Sequence, residues 1–219
     1  MLDRVALKVS QPLVDSFARR ALRRGWIADY VSFAALACGI VAALFIIVGN
    51  PGVALIPLLA GRLADGMDGA MARMTDTQSD RGAFLDIVFD FIFYAMIPLA
   101  FAVGNPAHNA LPAAVLLAAF ITTGISFLAY ATIAAERGET SEDYPDKGIY
   151  YLGGLTEGSE TIAAFCAMCW WPQWFGIIAY VFAALCLVSP RPRGFWPGGA
   201  ALRVNFALAK NFGHTEIKT

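Results

Sequence analysis

Apolar runs long enough to cross a lipid bilayer follow one another along most of this chain. Residues 30–48 and 110–135 contain no charged side chain, and a membrane-crossing helix needs about 20 such residues. The whole chain is 58% hydrophobic and 15% charged, whereas soluble domains average about 25% charged residues. The sequence therefore predicts an all-α integral membrane protein.

Turn residues divide the apolar runs into six predicted transmembrane helices. Glycine, asparagine and proline mark turns at residues 49–52 and 104–106. The last run, residues 149–188, is too long for one crossing, and the tryptophan-rich residues 170–174 in its middle are typical of a hairpin at an aromatic belt. The predicted helices are 30–48, one that starts at 53, 82–103, 110–135, and two within 149–188.

Both ends of the chain are expected to lie outside this bundle. Residues 1–24 mix apolar side chains with arginines and lysine, which predicts an amphipathic helix at the headgroups of the cytoplasmic leaflet. A disordered basic leader is the alternative. The predicted division is an N-terminal interfacial helix at 1–24, a six-helix catalytic domain at 25–189 and a cytoplasmic tail at 190–219.

The positive charges predict the orientation of the bundle. All 16 lysines and arginines fall in the N-terminal segment, the connection between the second and third crossings with its helix ends, the loop at 136–147, or the tail. The three opposite turns contain none. By the positive-inside rule, both termini face the cytoplasm. The protein is expected in a cytoplasmic or inner membrane.

Four aspartates stand at the cytoplasmic end of this predicted bundle: Asp65, Asp68, Asp86 and Asp90. Spacings of three and four return to nearly the same face of a helix. Each pair therefore projects together from one helix, and converging carboxylates repel one another unless cations lie between them. The pattern predicts a metal site.

The residues around these aspartates resemble the signature of the CDP-alcohol phosphotransferases. Every fixed position of that signature is occupied: Asp65-x-x-Asp68-Gly69-x-x-Ala72-Arg73, eight residues, then Gly82-x-x-x-Asp86-x-x-x-Asp90. The resemblance implies transfer of a substituted phosphate, usually phosphatidyl from CDP-diacylglycerol, to a small alcohol, with release of CMP. It also implies a homodimer. We expect membrane lipid and small molecules as partners, and no nucleic acid.

The resemblance also implies roles for the motif residues. The four aspartates would hold the metals, and Asp90, beside Asp86, is proposed to deprotonate the acceptor hydroxyl. Oxygen ligands favour Mg²⁺ or Mn²⁺, with two ions suited to phosphoryl transfer. The donor nucleotide would contact four residues: Gly69, Ala72, Arg73 and Gly82. The alternative for the small residues is close helix packing. The alternatives for Arg73 are a pair with a motif aspartate and anchoring of the helix at the membrane interface.

One position departs from the family pattern. Members often carry Pro-Asn and a following threonine at the start of the first crossing, where the asparagine helps to hold the nucleotide. This chain has Ala28-Asp29-Tyr30-Val31-Ser32 there. Because Asp29 has a carboxylate in place of the amide, the sequence does not decide whether it contacts the nucleotide.

The acceptor alcohol is predicted from the start of the fifth crossing. Lys147 stands near two acids on an apolar segment, Glu157 and Glu160, and intramembrane acids usually face a cavity. A pocket lined by glutamates should repel a phosphate, which favours a non-phosphorylated acceptor such as serine, ethanolamine, choline or a polyol. Alternatively, the two acids pair with Lys147 or cap the helix.

Two other functions fit parts of the pattern. The first is an enzyme of the same fold that uses a CDP-aminoalcohol donor and a diacylglycerol acceptor. The second is a cation transporter with buried carboxylates along an ion path. A transporter would distribute its acids across the membrane depth, whereas here they cluster at one end.

Overall fold

The computed structural model describes residues 2–136 and 158–188, without the side chains of residues 2–10 and of a few residues from 130 onward. These two stretches contain helices and no β-strand. The α-helices are α1 (Leu2–Arg23), α2 (Ala28–Ile47), α3 (Pro51–Thr75), α4 (Asp80–Gly104), α5 (Pro106–Glu136), α6 (Gly158–Trp170) and α7 (Phe175–Val188), with a short 3₁₀ turn at Pro172–Trp174.

The helices begin and end close to the predicted boundaries. Gly49 adopts φ +80° in the turn between α2 and α3, a conformation that costs glycine little. Pro51 begins α3, at a position where a backbone N–H would have no partner within the helix and can be absent. The predicted break at 170–174 is confirmed, since α6 ends at Trp170 and α7 begins at Phe175.

Helices α2, α3, α4, α5, α6 and α7 all contribute to one apolar core. Its largest fully buried side chains include Leu58, Ile97, Leu116, Phe165 and Phe175. Large apolar side chains also stay exposed on the outside of the bundle; Ile56 is 73% exposed and Leu111 68%. Long helices with such an outer surface are typical of a protein surrounded by lipid.

Three helical segments are long and apolar enough to cross a membrane: Ala28–Ile47, Asp80–Gly104 and Pro106–Ala129. A fourth candidate is the pair Gly158–Trp170 and Pro172–Val188, which bends by 113° at its break. The described residues therefore contain three or four candidate spans. The predicted count of six is higher because α3 carries charged residues and because α6 and α7, as described, each fall short of about 20 residues.

A second, smaller core attaches α1 to the far end of α3. Ala18 and Ala21 of α1 are buried against Ala70 and Met71 of α3, together with Val31 of α2. The predicted N-terminal helix is therefore present and docks on the part of α3 that carries the aspartates. Its position at the membrane surface stays a prediction, and the predicted tail at 190–219 lies outside the described residues.

Candidate active site

The aspartate motif spans the junction between α3 and α4. α3 ends at Thr75, and the next residue, Asp76, takes the left-handed conformation at φ 52°, a common way to stop a helix. α4 begins after Ser79, whose Oγ accepts a hydrogen bond from the Gly82 N–H at 3.1 Å, a standard N-cap. These two signals end α3 and start α4 within a few residues, and the side chain of Arg62 on α3 reaches Asp90 on α4.

The four motif carboxylates are divided between two helices. Asp65 and Asp68 lie on the second half of α3, and Asp86 and Asp90 on the first half of α4. The other three are near enough to Asp65 for their charges to act on it. Asp68 is buried at 8% exposure, whereas Asp86 is exposed.

Asp68 is held by two hydrogen-bond donors. The Ser32 hydroxyl, on α2, donates to Asp68 Oδ2, and the Gly69 backbone N–H donates to Asp68 Oδ1 at 2.6 Å. Charge-assisted bonds of this kind are about twice as strong as neutral ones. Helices α2 and α3 are therefore tied together at the motif.

Asp65 and Asp90 share one cation, the guanidinium of Arg62. Arg62 donates through Nη2 to Asp65 Oδ2 at 2.9 Å and through Nη1 to Asp90 Oδ1 at 2.6 Å. The three side chains are only 18–28% exposed. The guanidinium carbon also lies 5.4 Å from the Phe93 ring centroid and 5.9 Å from that of Tyr94, within the range of a cation–π contact.

Arg62 and Ser32 already bind some of the carboxylate oxygens that a metal ion would use. Within residues 2–136 and 158–188, no group of three or more His, Cys, Asp or Glu side chains is arranged to hold a metal ion. Arg62 takes one oxygen each from Asp65 and Asp90, and Ser32 takes one from Asp68. The donor set itself, carboxylate oxygens alone, suits Mg²⁺ or Mn²⁺.

The small motif residues leave open space on their helices. A Cβ added at Gly69 would meet only Arg73 Nη1, at 3.4 Å, and one at Gly82 would meet only Ser79 Oγ, at 3.4 Å. Both atoms come from the same helix or its cap, so among the described residues no neighbouring helix packs on either glycine. Ala72 is partly buried and Arg73 is exposed. The close-packing alternative therefore has no support at Gly69 or Gly82.

Of the three predicted acceptor residues, the structure describes one. Lys147 and Glu157 lie outside the described residues. Glu160 is partly buried in the first turn of α6, where it accepts a hydrogen bond from the Ser159 hydroxyl at 2.9 Å. A Cβ added at Gly158 would lie 3.5 Å from the Tyr94 hydroxyl. Tyr94 is also a neighbour of Arg62, so one aromatic side chain contacts both the start of α6 and the arginine that binds the aspartates.

Two site residues were given no role by the sequence reasoning. Arg62 stands three positions before Asp65, a spacing that allows an ion pair on a helix, but its second partner is 28 positions away. Ser32 lies one turn after Asp29 on the same helix. Asp29 itself forms a loose ion pair with Arg81 at 3.6 Å, where both side chains are well exposed.

The comparisons with known proteins agree with this geometry. The family model described as CDP-alcohol phosphatidyltransferase matches residues 25–188. The chain belongs to this family. The resemblance noted in the sequence is thereby confirmed, and with it the general reaction class of a CDP-alcohol phosphotransferase.

Two relatives illustrate the family. The chain is 42% identical over 203 residues to the inner membrane protein YnjF of Escherichia coli (strain K12), covering 93% of this chain and 98% of that protein. A crystal structure of Mycobacterium tuberculosis phosphatidylinositol phosphate synthase (PgsA1) with CDP-DAG bound matches with a TM-score of 0.63 and 19% identity, over 81% of this chain and 89% of that chain. At that identity the match shows a shared fold. The chain is therefore an integral membrane member of the CDP-alcohol phosphatidyltransferase family.

Proposed function

We propose that this enzyme transfers the phosphatidyl group of CDP-diacylglycerol to the hydroxyl of a small alcohol that carries no phosphate, and releases CMP. The observation that carries the proposal is the bridge from Asp65 on α3 through Arg62 to Asp90 on α4, which brings motif carboxylates of both helices to one place, in a chain of this family. The CDP-DAG bound to the Mycobacterium tuberculosis protein supports the choice of donor.

The proposed reaction exchanges one phosphorus–oxygen bond for another. The acceptor oxygen forms a bond to the phosphorus next to diacylglycerol, and the bond from that phosphorus to the bridging oxygen breaks. The bridging oxygen leaves with CMP, and the acceptor proton goes to the Asp90 carboxylate. Asp90 is 28% exposed, so a water-soluble alcohol can reach it.

Charge on the donor diphosphate must be neutralised for this exchange. Asp65, Asp68, Asp86 and Asp90 would hold one or two divalent cations, Mg²⁺ or Mn²⁺, which supply that neutralisation when bound. Gly69, Ala72 and Gly82 would let the nucleotide approach the helix backbone, since among the described residues no neighbouring helix lies within 4 Å of a Cβ added at either glycine. The exposed Arg73 would donate to diphosphate oxygens.

The choice of a non-phosphorylated acceptor rests on Glu160. Its carboxylate lies in the first turn of α6. The first residue of that helix lies beside the Tyr94 hydroxyl, and Tyr94 lies beside Arg62, the partner of Asp90. A carboxylate at this place would repel an acceptor phosphate and attract an amino or hydroxyl group. Glu157 and Lys147 complete the proposed acceptor pocket.

We place the enzyme in the membrane with six crossings, both termini and the active site on the cytoplasmic side, and as a homodimer. The distribution of lysine and arginine supports the orientation. Single cysteines introduced at Thr77 and His108, in a variant without its four native cysteines, test it. Only the cysteine at 77 should react with a membrane-impermeant maleimide added from the cytoplasmic side.

The reaction is tested with purified protein, CDP-diacylglycerol and Mg²⁺. CMP release is measured with separate panels of phosphorylated and non-phosphorylated alcohols. Asp90→Asn should abolish release, while Asp76→Asn should keep it, because asparagine also tolerates the left-handed conformation of that position. Turnover with phosphorylated alcohols alone would refute the acceptor, and full activity of Asp90→Asn would refute its role.

A further inference from the structure

Arg62 is strongly held in the site, yet the proposed reaction gives it no task. Its two terminal nitrogens bind two different helices, through Asp65 on α3 and Asp90 on α4. Both bonds use oxygens that the proposed reaction needs, since Asp65 would bind a cation and Asp90 would bind a cation and accept a proton. Guanidinium and divalent cation are therefore drawn to the same two carboxylates.

We infer that Arg62 is a built-in competitor of the divalent cation, which holds Asp65 and Asp90 together until a cation displaces it. The inference rests on the proposed function in taking these aspartates as cation ligands. Arg62 here is a positioning residue: it keeps the carboxylates near each other and delays the binding of cations.

Electrostatics requires this competition. A guanidinium within hydrogen-bond distance of both carboxylates would also lie a few ångströms from any cation bound to them. Like charges at such separations repel, and the repulsion is strong where exposure to water is limited, as it is for these side chains at 18–28% exposure. A cation bound to either carboxylate, through any of its oxygens, therefore weakens the hold of Arg62 on both and pushes the guanidinium away from the aspartates.

The aromatic rings beside Arg62 offer it a second position. Phe93 and Tyr94 both lie within 6 Å of the guanidinium carbon. A guanidinium that leaves Asp90 can stay on these ring faces and keep part of its stabilisation through cation–π attraction. From there its free N–H groups can turn to another anion, and the donor diphosphate is the anion that the proposed reaction brings.

Removal of Arg62 should therefore strengthen cation binding. The probe is Mn²⁺, titrated into detergent-solubilised protein without substrate, with free Mn²⁺ measured by electron paramagnetic resonance. For Arg62→Gln we expect a dissociation constant about tenfold lower than for the unaltered protein. Arg62→Lys should fall between the two, because one ammonium cannot donate to both carboxylates in the fork geometry of arginine.

The matched control is Arg81→Gln. Arg81 also pairs with an aspartate, Asp29, but the pair is exposed, with 75% of the Arg81 side chain accessible. Loss of this charge tests whether any arginine near the motif changes Mn²⁺ affinity. We expect no change in the dissociation constant beyond about twofold.

A second measurement uses the unaltered protein, and decides the question if Arg62→Gln does not fold. Phenylglyoxal modifies arginines, and mass spectrometry of peptides gives the rate at each position. Saturating Mg²⁺ should speed modification of Arg62 several-fold and leave that of the exposed Arg19 unchanged. Unchanged labelling of Arg62 would overturn the inference.

The outcomes for Arg62 and for the proposed function are distinguishable. Mn²⁺ that binds the unaltered protein and not Asp90→Asn is bound at the motif. If it then binds Arg62→Gln equally or more weakly, Arg62 supports the site rather than competes for it, and only this inference fails. Absence of CMP release in the separate assay would instead refute the proposed reaction, whatever the Mn²⁺ titration shows.

Discussion

The Ser32 hydroxyl donates a hydrogen bond to Asp68 Oδ2 across two helices and 36 positions of sequence. The same hydroxyl lies 3.3 Å from the Ala28 carbonyl oxygen of its own helix, so its single proton has two possible acceptors. The charged carboxylate is the stronger one. Ser32 therefore fixes the orientation of a buried motif aspartate.

Ser32→Ala should lower activity without unfolding the protein. The lost bond leaves Asp68 with the Gly69 N–H as its remaining described partner, and bonds to charged groups contribute about 1.5–3 kcal/mol. We expect kcat/KM for CMP release to fall about tenfold, and Ser32→Thr to restore most of it.

Ser126→Ala is the matched control, because Ser126 donates only to a backbone carbonyl of its own helix, Thr122 O at 2.8 Å. Its kcat/KM should equal that of the unaltered protein. Equal activity of Ser32→Ala and Ser126→Ala would show that Asp68 needs no support from α2.

Gly61→Ala should destabilise the contact between α2 and α3. A Cβ at Gly61 would lie 3.0 Å from the Ala35 carbonyl oxygen and 3.1 Å from Cys38 Cβ, and backbone atoms of a packed helix cannot move aside cheaply. Overpacking of this kind costs about 1–3 kcal/mol. We expect the midpoint of thermal unfolding in detergent, followed by circular dichroism, to fall by about 2–10 °C.

Gly52→Ala on the same helix controls for the change of residue type. A Cβ there meets nothing within 4 Å, and alanine favours a helix over glycine by about 1 kcal/mol. Its unfolding midpoint should stay the same or rise. A Gly61→Ala protein as stable as Gly52→Ala would mean that the two helices are free to separate slightly.

The sequence predicted the helices more completely than the site. Uncharged runs and turn residues predicted α2 and α5 within a few positions, because bilayer length and turn chemistry act locally. The same pattern could not decide how α6 and α7 cross, since their orientation depends on a bend of 113°. Arg62 shows the limit within the site. Its pair with Asp65 is local, but its bond to Asp90 depends on how α3 and α4 pack.

Gly69→Ala should impair donor binding and leave stability unchanged. Among the described residues only Arg73 Nη1 lies within 4 Å of the added Cβ, at 3.4 Å, and the end of a long side chain can move. A methyl group in the proposed nucleotide position should raise the KM for CDP-diacylglycerol about tenfold. CMP release at varied donor concentration measures it. The unfolding midpoint is the control, and a large fall in it together with an unchanged KM would restore the packing interpretation.

Glu160→Gln should weaken binding of the acceptor alcohol and leave binding of CDP-diacylglycerol almost unchanged. The substitution keeps the shape of the side chain and its ability to accept from Ser159, but removes the charge that would attract an amino or hydroxyl group. We expect the KM for the preferred alcohol to rise about 5–20-fold, or about 1–2 kcal/mol of lost attraction, with the KM for CDP-diacylglycerol within about twofold of the original. Ser159→Ala is the control for the local hydrogen bond, and should shift the acceptor KM less. A variant that instead loses affinity for the donor would assign Glu160 to the nucleotide side of the site. The residues that bind the acceptor would then have to approach Asp90 from another helix.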